Sequence, residues 1–379
     1  MTMTVHQAEA VANRQALRDI PLFNDQRLKL GVFGSNCSGG IIMSEAPTDS
    51  RITWDQQLRV AQQADRMGME LIVPVARWKG FGGRTNFMGS ALETFTWAAG
   101  LAQATEQISI FATTHLPAVH PIVAAKQAAT IDQIAGGRFG MNMVMGWFKE
   151  EIEMFGRPQY DHTARYAYGQ EWLDFAQHLW TAPGPFDFDG QFFTAFGAES
   201  EPKPILSPRP ALICAGNSPT GMDFSARNVD VNLAVLDSLE GAREYKRKIS
   251  ALAADSYHRT LDVFTYGLVV CRETEKEAKQ AVQGIIDQGD TEGADLVISG
   301  LGIESESYQG VIDAFRERFV LGWGGTVLVG TPEQVTEQLA ELSEAGIGGI
   351  ILGFHDYANE LEDFDREVMP LLRKEGLRH

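Results

Sequence analysis

Thr113-Thr114-His115 and Asn142 stand near the ends of two apolar runs, QISIFATT and RFGMNMVMG, and Trp147 follows the second run directly after Gly146. Threonine and asparagine are uncharged hydrogen-bonding groups, able to hold a small neutral ligand such as O₂ or a peroxide, and an indole beside them excludes water from it. Taken singly, Asn142 reads more readily as a satisfied core amide and Trp147 as packing. Their common placement at strand ends is what points to a site. His115 reads as a residue that shapes a substrate pocket, ahead of a role in proton transfer.

Two further segments carry suitable chemistry. Asn36-Cys37-Ser38-Gly39-Gly40 is small and polar and lets a ligand approach the backbone, with Ser38 a candidate substrate contact. Ala76-Arg77 leads into Trp78-Lys79-Gly80-Phe81-Gly82-Gly83-Arg84-Thr85, expected to be a flexible loop of cations and aromatics suited to an anionic or planar ligand. Solvated surface charge is the bland reading of that loop. His115, His120 and His162 show no metal-binding spacing with carboxylates on one face, so no metal is expected. No GxSxG elbow is present, and GSNCSGG after the first strand lacks the GxGxxG spacing and a following helix, so nothing points to a hydrolase triad or a nicotinamide dinucleotide site.

The elements that must position these residues alternate. LKLGVFG, ELIVPVA, QISIFATT, RFGMNMVMG, ALICAG, DVNLAV, LDVFTYGLVV and GGIILGF read as eight strands, with amphipathic helices such as WDQQLRVAQQADRMGM and PIVAAKQAATIDQIAGG between them. Helical rather than hairpin connections predict an α/β fold, a TIM (β/α)₈ barrel with insertions, ahead of a doubly wound open sheet. In such a barrel the strand C-termini build the active site, and the polar segments above lie there. A long helix is expected after Gly146 through about Thr181, then a hairpin in FDFDGQFF around Asp189-Gly190. Residues 1–27 read as an N-terminal arm outside the core, 28–379 as one barrel, and 289–325 as a weakly periodic insertion and lid. TPEQVTEQLAELSEAG is a helix with Thr331 as N-cap and Pro332 at its first position.

With 32 Lys+Arg against 50 Asp+Glu the formal charge is -18, which argues against nucleic acid or an anionic membrane surface as partner. Three scattered cysteines, a polar start and the lack of long apolar stretches point to a cytoplasmic protein.

The run ATIDQIAGGRFGMNMVMGWFKEEIEMFG, with KGFGGRTNFMGSALETFTWAAGLA before it and CAGNSPTGMDFSAR after it, resembles the bacterial luciferase-like flavin monooxygenases. Within them it is similar to the pyrimidine monooxygenases, while SGG and GWFKEE look like the dimethyl sulfone monooxygenases. The resemblance implies non-covalent FMN, supplied reduced by a separate NAD(P)H:flavin reductase, O₂ as cosubstrate, and oxidation of a small pyrimidine or other heterocycle, sulfone or halogenated arene through a flavin peroxide, by similarity the N5 adduct. It places Thr113, Asn142 and Trp147 in the oxygen pocket and Ala76, Arg77, Asn142, Glu151, Arg165, Tyr166 and Ser218 on the cofactor. Of these, Arg165, Tyr166 and Ser218 have the chemistry of a phosphate grip. A homodimer or homotetramer is implied as well. Arg77, where the pyrimidine enzymes have Lys, and His115-Leu116-Pro117 depart from the pattern and leave the substrate open. The alternatives are a deazaflavin-dependent oxidoreductase and a non-catalytic flavin-binding protein.

Overall fold

The computed structural model describes residues 20–301 and 309–379. Its elements run β1 (Lys29–Phe33), α1 (Trp54–Arg66), β2 (Leu71–Val73), α2 (Thr94–Ala104), β3 (Ser109–His115), α3 (Pro121–Ala135), β4 (Phe139–Val144), α4 (Lys149–Met154), α5 (His162–Thr181), β5 (Phe186–Asp189), β6 (Thr194–Ala198), β7 (Ala211–Cys214), α6 (Pro219–Asn228) and β8 (Val231–Leu233). They continue with α7 (Leu239–Tyr257), β9 (Asp262–Cys271), α8 (Glu275–Asp287), α9 (Thr291–Gly300), α10 (Gln309–Gly322), β10 (Thr326–Gly330), α11 (Pro332–Glu344), β11 (Gly349–Gly353), α12 (Tyr357–Glu367) and α13 (Met369–Lys374). The fold is the closed eight-stranded parallel barrel with helices that the alternation predicts, its strands being β1 to β4, β7 to β9 and β11.

The chain divides into two compact units. The first comprises Thr94–Asn232, Arg247–Asp262 and the described residues up to Asn24. Its parallel strands are ordered β3-β4-β7-β8, with Thr113 opposite Asn142. The antiparallel pair β5-β6 is a hairpin excursion as expected, with its second strand at Thr194–Ala198, beyond the FDFDGQFF run. Helix α3 starts at Pro121 and buries Ala124, Ala125, Ala128 and Ala129. Small side chains at that helical spacing let the helix seat closely against its neighbours.

The second unit comprises Asp25–Glu93, Leu233–Lys246 and Val263–His379, with parallel strands ordered β10-β9-β11-β1-β2. Helix α1 is capped by Thr53, which accepts from the Gln56 amide, and buries Gln57, Val60, Ala61 and Ala64. This is the one-face pattern its sequence predicts. Helix α11 begins at Thr331 and Pro332 as expected, with a full capping box completed by Gln334.

Several expectations are corrected. The predicted long helix after Gly146 is two helices, because Gly156 adopts φ +64° and Pro158 cannot donate an amide to a continuing helix. The weakly periodic stretch 289–325 holds the regular helices α9 and α10, with 302–308 outside the described residues. TVLVG, for which the sequence pattern predicts no strand, forms β10 on the edge of β9. Residues 1–19 of the expected arm lie outside the described residues, while Ile20 and Leu22 are buried, so the core begins before Leu28. No described helix is long and apolar enough to cross a membrane.

Candidate active site

In the first unit, the register of β3 on β4 sets Thr113 beside Asn142, 4% and 5% exposed. Asn142 Nδ2 donates to Thr113 Oγ1 at 3.1 Å, and Thr94 Oγ1 at the start of α2 donates to the Thr113 carbonyl at 2.6 Å. Asn142 Oδ1 is buried and has no hydrogen-bond partner among the described residues. A buried amide oxygen in an apolar strand costs free energy unless a donor reaches it, so its natural complement is an N–H or O–H supplied by a ligand.

Two residues along β3, on the same side of the strand, His115 Nδ1 lies 2.5 Å from Glu151 Oε2 of α4, both side chains being buried. Glu151, expected on the cofactor, is thus placed against His115.

Beyond β4, Gln159 Nε2 donates to the carbonyls of Gly146 and Trp147, each at 3.2 Å, and Arg165 Nη1 donates to Gly146 O at 3.2 Å. The backbone carrying Trp147 is therefore fixed. Its indole keeps partial exposure and packs 5.8 Å from the Phe148 ring.

Arg165 lies on α5 next to Tyr166 and three residues after His162, and the latter two stand at the start of α6. Ser218 caps that helix by accepting from Gly221 N at 3.1 Å, and its Oγ lies 3.0 Å from His162 Nε2. Tyr166 fits against Gly216 and Gly221, where a Cβ on either would come within 2.6 Å of the phenol oxygen. Burial pushes the Tyr166 phenol above its ordinary range, with Cys214 adding to the rise, so it remains a protonated donor. A guanidinium, a phenol, a hydroxyl and a helix N-terminus make a donor set that fits a phosphate monoester.

His162 was not among the expected residues. Its spacing from Tyr166, four residues on in DHTARY, would have placed both on one helix face, and their rings lie 5.1 Å apart.

For the FMN that the family resemblance implies, Arg165→Ala is expected to weaken binding by about 10- to 100-fold, the worth of one charge-assisted hydrogen bond, and to leave riboflavin binding unchanged. Titration of both flavins checks this. Equal weakening of both would mean that Arg165 acts only through Gly146.

In the second unit, the Asn36 side chain staples the end of β2: Nδ2 donates to Val75 O at 2.9 Å and Oδ1 accepts from Val75 N at 2.8 Å. Ala76 and Arg77 follow, both buried, with the Arg77 guanidinium 4.3 Å over the Phe81 ring. Ser38 is bonded to the same loop, its amide donating to Ser90 O at 2.8 Å and its Oγ accepting from Ser90 N at 3.2 Å. The loop expected to be flexible is tied down. Asp290 Oδ2 accepts from both Thr85 N and Thr85 Oγ1 at 2.7 Å, and Arg84 Nη2 donates to Gly289 O at 2.6 Å. Its cations mostly serve these contacts and ring packing, which its composition does not reveal. No group of metal-ligating side chains occurs among the described residues.

Residues 28–348 match the family described as luciferase-like monooxygenase. The chain is 32% identical over 354 residues to the pyrimidine monooxygenase RutA of Acinetobacter baylyi, covering 91% of this chain and 95% of the relative. It is 31% identical over 357 residues to the FMNH₂-dependent dimethylsulfone monooxygenase of Pseudomonas putida, covering 92% and 96%. The structure of DmoA from Hyphomicrobium sulfonivorans superposes with a TM-score of 0.82 at 18% identity, covering 94% of this chain and 90% of that one, which concerns the fold. The chain belongs to the luciferase-like monooxygenase family and is a flavin-dependent monooxygenase of that family.

Proposed function

We propose that this enzyme uses reduced FMN and O₂ to oxidise a small organic substrate at an electrophilic carbon or sulfur, as one component of a system whose other component is an NAD(P)H:flavin reductase. The observation that carries the reading is the buried Thr113–Asn142 pair with its uncommitted Oδ1, a neutral polar spot at the C-terminal ends of β3 and β4. Reduced FMN, when bound, supplies two electrons to O₂, so that one oxygen atom enters the substrate and the other leaves as water.

The chain's own residues bind, orient and exclude water. Arg165, Tyr166, Ser218 and His162 would hold the phosphate. Ala76, Arg77 and Glu151 are assigned to the cofactor by the likeness of their sequence surroundings. Asn142 Oδ1 would accept from an N–H or O–H of the bound reactants with Thr113 holding its amide in place, and Trp147 would keep water from them. His115 and Ser38 are assigned to the substrate. Pyrimidines or other heterocycles, sulfones and halogenated arenes are the proposed substrate classes, the first two being those named for the relatives of Acinetobacter and Pseudomonas. A homodimer or homotetramer in the cytoplasm belongs to the same proposal.

The test is aerobic incubation with photoreduced FMN, ¹⁸O₂ and a panel of uracil, dialkyl sulfones and chlorinated arenes, read by product mass. One labelled oxygen atom is expected in one class of product. FMN binding with no label in any product would overturn the reading.

A further inference from the structure

The segment Gly322-Trp323-Gly324-Gly325, between α10 and β10, holds a bulky residue in the left-handed region, with Trp323 at φ +49°. A tryptophan keeps that conformation only where its surroundings over-determine it, and such residues cluster at functional sites. Here the surroundings do so. Trp323 N donates to Phe319 O at 3.0 Å, Gly324 N to Arg318 O at 3.3 Å and Gly325 N to Gly322 O at 2.8 Å. Arg318 Nε donates to Gly325 O at 3.2 Å, and Tyr266 Oη, from β9, donates to Trp323 O at 2.8 Å. Gly325 cannot be exchanged, since a Cβ there would lie 2.6 Å from the Tyr266 ring.

All this presents one indole to a set of rings. Its centroid is 6.3 Å from Phe33 with planes 18° apart, 6.3 Å from both Phe81 and Phe87, and 6.5 Å from Tyr266. Phe33 is the last residue of β1, and Phe81 and Phe87 belong to the loop after β2. The group therefore stands at the C-terminal ends of these strands, where barrel enzymes meet their substrates. The other four rings are buried, whereas Trp323 keeps exposed surface. Ordinary core packing would not require a strained backbone to hold the one ring of the set that is left partly uncovered.

We propose that Trp323 is a specificity-determining residue whose indole stacks on the substrate, so that the substrate is a planar aromatic or heteroaromatic ring rather than a small aliphatic sulfone. This inference rests on the monooxygenase reading for the chemistry, but its test is a binding measurement that stands apart from turnover. Matched pairs that differ in planarity serve as probes: uracil and 5,6-dihydrouracil, benzoate and cyclohexanecarboxylate, methyl phenyl sulfone and methyl cyclohexyl sulfone. Each is titrated calorimetrically into the FMN-loaded enzyme. The planar member of at least one pair is expected to bind about tenfold tighter, the factor to which the upper range of aromatic stacking corresponds.

Trp323→Leu is expected to reduce that preference to within about twofold and Trp323→Phe to retain most of it, since only the second keeps a ring. Trp323→Gly, which suits the left-handed backbone, provides the ring deletion should the leucine variant fail to fold. The proposal is overturned if the wild-type enzyme prefers no planar member, or if the preference survives ring deletion. Planar preference without ¹⁸O incorporation would instead leave the stacking residue in place and remove the monooxygenase reading.

Discussion

Asn142→Leu is expected to lower product formation by about 10²- to 10³-fold, the cost of deleting one preorganised polar group at a reacting centre. Leucine has the same number and branching of side-chain heavy atoms as asparagine but can neither donate to Thr113 nor offer the oxygen that Asn142 holds buried. FMN affinity should change far less, because the proposed phosphate donors lie on α5 and at the start of α6. The informative quantity is product formed per reduced FMN consumed. The variant should still reoxidise FMN with O₂, but release hydrogen peroxide in place of product. Thr113→Val, which removes only the hydroxyl, should uncouple in the same sense and to a smaller degree, and the double variant should be less than additive because the two residues share one hydrogen bond. Unchanged coupling in Asn142→Leu would place the oxygen chemistry away from β3 and β4. Loss of FMN in step with activity would make Asn142 a cofactor-retaining residue instead.

That pair is legible in the sequence for a physical reason. Strands of a parallel barrel are buried on both faces and read as continuous apolar runs, so a lone threonine or asparagine near the end of one stands out, and in-register pairing of the neighbouring strands brings the two together. β10 escaped because it is an edge strand, half-buried and opening out of the glycines that follow Trp323. Helices α9 and α10 escaped because glycine and acidic residues dilute their apolar periodicity. The contact of His115 with Glu151 depends on how α4 turns back after β4, and the tethering of Thr85 by Asp290 depends on tertiary closure. Neither has a spacing from which it could be read. Trp323 lay inside a segment expected to be an insertion, and only its backbone conformation and ring neighbours single it out.

The largest effect on stability is expected at Glu70. This carboxylate, 1% exposed, stands just before β2 and meets the penultimate residue, Arg378, which is 3% exposed. Arg378 Nη1 donates to Glu70 Oε2 at 2.8 Å and Nη2 donates to Oε1 at 2.9 Å, while Oε2 also accepts from Leu30 N at 2.8 Å. Arg378 further donates to Leu28 O at 2.9 Å and to Gly68 O at 2.5 Å, so one guanidinium ties the chain end to the start of β1 and the turn before β2. Removing one partner of a buried pair strands the other charge in a low-dielectric setting, and Glu70→Ala is expected to lower unfolding free energy by about 3–5 kcal/mol. Glu70→Met combined with Arg378→Met should recover much of that loss, because no uncompensated charge remains. Urea denaturation of the two variants measures both quantities. These residues lie at the N-terminal ends of the strands, the face of a barrel that serves stability rather than catalysis. Product formed per reduced FMN, measured well below the unfolding transition, should therefore equal that of the wild type. A shift under about 1 kcal/mol in Glu70→Ala would mean that water reaches Arg378 once the carboxylate is gone, as for a surface pair.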